Sequence, residues 1–481
     1  MRNLQIIGLT LGILLLILGG AELLPALADW GRSPNAYVFL ASALVSLFFG
    51  GALFICNRGC RRAMTPRGAF LLTTVTWVAF SVFAAIPLYL SDLGISFVDA
   101  LFETTSGITT TGSTVLVGLD GLSAGVLLWR SVVQWIGGVG IIGFALVVLP
   151  FLRVGGMQLL RTESSDKSDK IMPRARQVAG SILLVYVGLT VLIALTYHLL
   201  GMSGFDAVNH AMTTISTAGY STHDASFAHF DSYALDMAGA VFMLMAGVPF
   251  LLYVRFVFRG EWAFWGDEQV RVLAFVVGGL VAVVTLWLWA QGTHPLEQAF
   301  RHGAFTVASL ITTTGYASTD YLAWGPFAAM LFLMVTYLGA GAGSTCGGLK
   351  TMRLILCVRG AWVQCARLVY PKGMFPVRYQ GKVVAPEVID SVFGFLGLYV
   401  AANVAFALVL AWMGLDLATA VSGAATAVAN VGPGIGTVIG PAGNFATLPD
   451  AAKLALAAAM LLGRLEIMTV LVLFTRGFWR A

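Results

Sequence analysis

The chain has 481 residues, of which 58% are hydrophobic and only 11% charged, and its mean hydropathy is +0.86. Soluble domains carry roughly 25% charged residues, so these values exclude a soluble globular protein and indicate a polytopic membrane protein. The formal net charge of +5 does not point to nucleic acid, because the basic residues gather in separate connections between apolar runs.

The first elements are the apolar stretches Leu4 to Ala26, Ala36 to Cys56 and Ala69 to Leu90. Each can cross about 30 Å of hydrocarbon at about 1.5 Å per helical residue, so helices carry the spans. Arg2 precedes the first stretch, but the stretch is long and Pro25 to Trp30 offers no small-residue cleavage pattern, which favours a retained helix over a signal peptide. Basic clusters follow in alternate connections: Arg58, Arg61, Arg62 and Arg67; Arg153, Arg161, Lys167, Lys170, Arg174 and Arg176; then Arg367, Lys372, Arg378 and Lys382. By the positive-inside rule these loops, the N-terminus and Arg476 to Ala481 lie in the cytoplasm. Cys56 and Cys60 have the spacing of half a metal site, without a histidine or a second pair. Together with Cys346, Cys357 and Cys365 they are expected to be reduced thiols.

After two leading transmembrane helices (1–68) one pattern recurs four times. Its copies are Thr109-Thr110-Thr111-Gly112, Ser216-Thr217-Ala218-Gly219, Thr312-Thr313-Thr314-Gly315 and Ala429-Asn430-Val431-Gly432. Four residues before each glycine stands Ile108, Ile215, Ile311 or Val428, and twelve before it Ala100, Ala207, Gly303 or Ala420. The preceding helical stretches, such as Phe97 to Ile108, Gly204 to Ile215 and Ala418 to Val428, reach only about half the length of a crossing helix. The fold expected is therefore all-α: four pseudo-repeated units of helix, pore helix, filter strand and helix around one pore. The units are 69–176 with a cytoplasmic loop, 177–269, 270–386 with a broken second helix and a cytoplasmic loop, and 387–481. All four glycine motifs fall toward the outer face.

Irregular backbone at membrane depth survives only where it is buried in protein or lines water. A dehydrated cation needs oxygens in place of its hydration shell, and backbone carbonyls supply them without burying full charges. Glycine permits the conformations that turn carbonyls inward, and pore helices aimed C-terminus first at the axis add partial negative charge. One Thr-Thr-Thr-Gly is an ordinary polar loop, whereas four in one register on one side of a membrane describe a filter.

On these motifs the chain resembles the TrkH/KtrB/HKT superfamily of potassium transporters, and its two leading helices resemble the TrkH branch. The signatures are Thr110-Thr111-Gly112-Ser113, Thr217-Ala218-Gly219-Tyr220-Ser221-Thr222-His223-Asp224, Thr313-Thr314-Gly315-Tyr316 and Asn430-Val431-Gly432-Pro433-Gly434, and the likeness extends over essentially the whole chain. The resemblance implies K⁺ uptake across a bacterial inner membrane, with Thr110, Thr111, Gly112, Thr217, Ala218, Gly219, Thr313, Thr314, Gly315, Asn430, Val431 and Gly432 forming a filter that binds K⁺. Ala218 and Ala429 depart from the Thr/Ser pattern, which removes hydroxyls and is expected to tune affinity.

In the third unit, the helix from Phe327 onward runs into Gly339-Ala340-Gly341-Ala342-Gly343-Ser344-Thr345-Cys346-Gly347-Gly348 before Lys350. Glycine costs a helix about 1 kcal/mol per residue relative to alanine, so a loop is favoured over Gly-x-x-x-Gly packing. The resemblance makes it an intramembrane gate, comprising Gly339, Gly341, Gly343, Ser344, Thr345, Gly347, Gly348 and Lys350. Arg464, inside the apolar run Ala451 to Phe474, either pairs with Glu466 or raises an electrostatic barrier under the filter, and the resemblance makes it the second gate element. Arg130, Gln134 and Lys350 also read as helix-end anchors or interhelical partners. His223 and Asp224, after the second strand, either draw cations to the outer mouth or cap a turn. Asp99, Asp206 and Asp416 read as helix caps, and Glu103 and Asp320 as contributors to a negative vestibule.

Two other classes are weighed. A membrane-embedded enzyme lacks a His-Glu-x-x-His or a Gly-x-Ser-x-Gly with a triad, and none is expected. A Na⁺- or proton-coupled cation symporter stays open, and a coupled solute transporter would show repeated halves rather than four units. The loops 151–176 and 359–386 are too short for a nucleotide-binding domain of about 100 residues, so no organic cofactor is expected in this chain. The resemblance implies a homodimer in the bilayer, docked on a cytoplasmic TrkA-like RCK subunit that binds NAD(H) or ATP.

Overall fold

The computed structural model describes residues 4–59, 65–145, 156 and 171–480. Cys60, Arg61, Arg62, Arg153, Arg161, Lys167 and Lys170 lie outside the described residues, as do the side chains of Arg174 and Arg176.

The leading helices α1 (Leu4–Ala28) and α2 (Asn35–Asn57) pack as an antiparallel pair. Small residues let the two backbones touch: a Cβ on Gly12 would stand 2.7 Å from the Phe54 nitrogen, and one on Gly50 2.8 Å from the Leu16 nitrogen. Glu22 is fully buried in this seam, where it accepts a 3.1 Å hydrogen bond from Ser46 Oγ. The pair is moored to the rest of the molecule through Asp29, whose carboxylate accepts from Ser123 Oγ at 2.8 Å and from the Gly125 N–H at 2.7 Å.

Four helical units follow. The first contains α3 (Pro66–Leu90), α4 (Phe97–Ile108) and α5 (Ala124–Gly143). In the second come α6 (Ile171–Leu199), α7 (Gly204–Ile215), α8 (Tyr233–Ala246) and α9 (Phe250–Arg259). The third has α10 (Glu268–Ala290), α11 (Leu296–Ile311), α12 (Pro326–Thr336) and α13 (Thr351–Val369). A two-residue hairpin, Arg378–Tyr379 against Lys382–Val383, leads to the fourth, with α14 (Pro386–Trp412), α15 (Leu417–Ala429), α16 (Asp450–Arg464) and α17 (Ile467–Leu471). The short α18 (Arg476–Arg480) comes last. Among the described residues, seven helices are long and apolar enough to cross a membrane.

The short helices α4, α7 and α15 start on side-chain caps. Ser96 and Asp99 form a capping box on α4, Ser203 Oγ accepts from the Asp206 N–H at 3.1 Å on α7, and Asp416 accepts from the Thr419 N–H at 3.1 Å on α15. The carboxylates sit where the sequence places them, although serine is the cap itself in two of the three.

Two differences from the expected layout concern the second helices. Only the third unit was expected to break, yet α8 and α9 meet at 90°, and α16 meets Ile467–Phe474 at 107°. Pro249 explains the first bend, since proline lacks an N–H and its ring collides with the preceding turn. Glu466 at φ 64° makes the second. The expected connection from Arg359 to Pro386 also begins as helix, because α13 continues to Val369.

Candidate filter and the loop beneath it

Each pore helix, α4, α7, α11 and α15, ends at one strand, and the four strands share one backbone conformation. Two residues before each glycine the chain turns left-handed, with φ 53° at Thr110, 50° at Thr217, 56° at Thr313 and 56° at Asn430. The glycines return to positive φ, at 88°, 76°, 82° and 107° for Gly112, Gly219, Gly315 and Gly432. Between them, Thr111, Ala218, Thr314 and Val431 donate their N–H groups back to the pore-helix carbonyls of Ser106, Thr213, Ser309 and Thr426 at 2.8, 3.0, 2.8 and 3.0 Å. Positive φ strains β-branched threonine, a cost of about 1–3 kcal/mol per residue that concentrates at functional sites.

The strands close into a ring in chain order. A Cβ on Gly112 would collide with the Ala218 carbonyl oxygen, one on Gly219 with that of Thr314, and one on Gly315 with that of Val431. One on Gly432 would come within 2.9 Å of the Thr111 carbonyl oxygen, back in the first unit. Glycine is thus required twice at each position, by its dihedral and by the next strand.

Side chains behind the ring hold it. Gln134 of α5 donates to the Ala218 carbonyl at 2.8 Å and accepts from the Tyr220 N–H at 3.1 Å, clamping the second strand from both sides of Gly219. Arg130, one turn earlier, is buried and joins Glu103 at 2.8 Å, the Ser221 carbonyl at 2.8 Å and Thr114 Oγ1 at 3.2 Å, with its guanidinium over the Tyr220 ring. Glu103 therefore belongs to a buried ion pair rather than to a negative vestibule, as its 1% exposure requires. Asp320 is exposed and caps the Tyr321–Trp324 turn by accepting from the Leu322 N–H at 2.9 Å. On the fourth strand, Asn430 donates to Thr111 Oγ1 at 2.9 Å and to the Met460 carbonyl at 3.0 Å. Ser113 Oγ reaches the Gly432 carbonyl at 3.0 Å across the same junction.

A cavity of about 80 Å³ lies over the ring, bounded by Gly112, Gly219, Gly315 and Gly432 and rimmed by His223 and Asp224. Of the two outer residues, His223 is half-buried against Asp120 and Asp206, and Asp224 is exposed. A smaller cavity of about 30 Å³ lies on the other side, bounded by Asn430, Gly347, Gly348, Lys350 and Arg464 among others.

The glycine-rich segment between α12 and α13 is a coil, and it closes that second cavity. Its Gly347 N–H donates to Thr313 Oγ1 at 2.7 Å and its Gly348 N–H to the Ala429 carbonyl at 2.8 Å, so the loop is stitched to the third and fourth strands from below. Thr345 Oγ1 reaches the Ile215 carbonyl at 3.0 Å, at the end of the second pore helix. The broken second unit grips the other flank, with Gly341 N–H donating to the Gly247 carbonyl at 2.9 Å and Phe250 N–H to Gly343 at 3.0 Å. A Cβ on Gly339 would strike the Gly347 carbonyl. Ser344 Oγ turns back on the Gly341 carbonyl at 2.7 Å, and Lys350 Nζ contacts the Cys346 carbonyl.

Arg464 stands at the end of α16, fully buried, and donates to the Thr345 carbonyl at 2.9 Å. Glu466 pairs with Arg353 of α13 at 2.8 Å instead, which leaves Arg464 without a carboxylate partner among the described residues. The sequence does not single out Arg353, the one charged residue between Lys350 and Arg359, because its partner Glu466 lies in another unit far along the chain. Thus the twelve strand residues meet in one ring, the loop and Arg464 meet beneath it, and His223 and Asp224 stand at its rim.

A family profile described as the TrkH cation transport protein matches residues 36–479. Among similar proteins, the Trk system potassium uptake protein TrkI of Halomonas elongata is 45% identical over 448 residues, 93% of this chain and 91% of that protein. The Trk system potassium uptake protein TrkH of Escherichia coli K12 is 36% identical over 479 residues, 98% of each. The crystal structure of the potassium transporter TrkH from Vibrio parahaemolyticus superposes with a TM-score of 0.91 at 34% identity, covering 100% of this chain and 99% of that one.

Proposed function

Because the chain belongs to the TrkH family of cation transport proteins, we propose that it takes up potassium through the four-strand ring, with the glycine-rich loop and Arg464 as its gate. The observation that carries this reading is the closed order of the glycines, each lodged on the carbonyl of the next unit. K⁺ is the cargo, coordinated by strand oxygens from Thr110 to Gly112, Thr217 to Gly219, Thr313 to Gly315 and Asn430 to Gly432. The division into units 69–176, 177–269, 270–386 and 387–481 is part of the same reading.

The gate works by occupancy and charge. The loop fills the path below the strands, and the Arg464 guanidinium stands where an ion leaving the ring must pass, so both must shift for conduction. The basic connections set the orientation, with both termini cytoplasmic in a bacterial inner membrane. No room exists in 359–386 for a nucleotide domain of about 100 residues, and nucleotide control falls to a separate TrkA-like RCK ring that binds NAD(H) or ATP on the cytoplasmic face of a homodimer. The chain itself is a conduit, not an enzyme, and carries no organic cofactor.

Rb⁺ uptake into proteoliposomes under an inside-negative diffusion potential tests the reading. Wild-type protein takes up Rb⁺ in preference to Na⁺, and Gly315→Ser, by displacing the Val431 carbonyl, reduces that preference about tenfold. Unchanged selectivity in a folded Gly315→Ser protein removes the ring from the pathway.

A further inference from the structure

At the outer rim, three metal-ligating side chains converge that the uptake reading does not use. Asp120 comes from the short turn Leu119–Gly121 of the first unit, and His223 and His229 from the second unit's outer loop and its turn Ser226–Phe230. Their ligating atoms all lie within 4.8 Å of one another. His223 Nδ1 is in hydrogen-bond contact with Asp120 Oδ1, and the His229 ring lies flat on His223, with centroids 3.5 Å apart and planes 3° from parallel. Two histidines and a carboxylate are a donor set that Zn²⁺ takes, with bonds of about 2.0–2.2 Å and one position left for water.

A carboxylate also stands close behind His223. His223 Nε2 faces Asp206 Oδ1 at 3.4 Å, and Asp206 is itself fixed by Thr222 Oγ1 at 2.7 Å and Ser203 Oγ at 2.6 Å. At that separation the Asp206 carboxylate attracts the ring without hydrogen-bonding it, and Nδ1 is the nitrogen that faces Asp120. His229 and Asp120 are exposed, so the site opens to the outside, and His223 also lines the cavity above the four glycines.

We propose that Asp120, His223 and His229 form an external Zn²⁺ site, and that its occupancy slows cation entry into the ring. On binding, Zn²⁺ takes the lone pair of His223 Nδ1, the single ring proton sits on Nε2 on the Asp206 side, and a modest turn of the exposed His229 ring brings the third ligand in. The bound ion ties the outer turns of the first two units together and places positive charge at the mouth, where it repels an approaching cation. The slowing rests on the uptake reading, whereas the binding does not.

Two measurements on the full-length protein test this. Titration calorimetry of chelator-stripped protein with ZnCl₂ should give one saturable site per chain, weakened about tenfold or more in His229→Ala and in Asp120→Asn. In proteoliposomes, external Zn²⁺ should slow wild-type Rb⁺ uptake, EDTA should restore it, and His229→Ala should take up Rb⁺ normally without responding to zinc. Equal zinc binding, or equal slowing, in wild type and His229→Ala overturns the site, and binding without slowing overturns its effect on entry. Absence of Rb⁺ uptake by wild type before zinc is added counts against the uptake reading alone, since calorimetry still decides the site.

Discussion

Thr110, Thr217 and Thr313 adopt a conformation that a β-branched residue avoids, and the fourth strand uses Asn430 instead, a residue that tolerates it better. The strain is sustained because the following N–H is bonded to the pore helix and the following glycine is seated on a neighbour. Gln134 is the least replaceable support, since it satisfies an acceptor and a donor on the same strand. Gln134→Leu should therefore cost about 1–3 kcal/mol for each stranded backbone group, seen as a lower melting temperature in detergent together with weaker discrimination of Rb⁺ from Na⁺. A melting temperature and selectivity equal to wild type would show that water replaces the amide. The glycines were legible in the sequence because they repeat, whereas Gln134 and Glu103 occur once each. The sequence marks Gln134 only as a general interhelical partner, and support of one strand in a pseudo-symmetric ring leaves no periodic trace, so the contact alone assigns that role.

At the scale of elements, the pore helices α4, α7 and α15 were readable from length and caps, because a helix half as long as the membrane with a serine or aspartate before it has few alternatives, whereas α11 starts uncapped at Pro295. The bends were less so. Pro249 is a plain breaker, but the turn at Glu466 depends on its ion pair with Arg353, a partner from another unit. The same kind of cross-link fixes the first pore helix. Lys453 of α16, nearly buried, pairs with Asp99 of α4 at 2.6 Å, joining the fourth unit to the first. Burial pushes the Asp99 carboxyl up, but hydrogen bonds from Lys453 and Ser96 outweigh it and hold its pKa below the ordinary 3.8. A depressed carboxylate stabilises the folded state fully above its unfolded value and loses that contribution as pH falls through the folded one. Asp99→Asn should accordingly lower stability by about 1–3 kcal/mol at neutral pH, and thermal melts should show the gap to wild type narrowing below pH 3.8. A gap independent of pH would assign the loss to the helix cap instead.

For the whole molecule, the path is defined by what blocks it. The loop bonds to the third and fourth strands, to the second pore helix and to the bend at Pro249, so it moves only if several units release it. Arg464 holds the same loop through the Thr345 carbonyl while adding its charge. Arg464→Ala should then raise maximal Rb⁺ uptake, by about tenfold if the charge and the tether together contribute about 1.4 kcal/mol of barrier, and Arg464→Lys should stay near wild type. A fall in uptake by a stable Arg464→Ala protein would make the residue a structural anchor. The loop's existence was legible from its five glycines, but its grip on the second and fourth units was not, since most of those bonds join backbone to backbone and carry no side-chain signature.

The junction between the first and fourth strands has a consequence for synthesis. Ser113 waits for the Gly432 carbonyl and Thr111 for Asn430, partners 319 residues further along the chain. Long-range closure of this kind comes late, and the quarter made last supplies both bonds. A chain still on the ribosome, or one that stops before residue 432, has three strands and no ring. The membrane is thus not exposed to a half-made hole, because the passage and its selectivity are completed by the same final event.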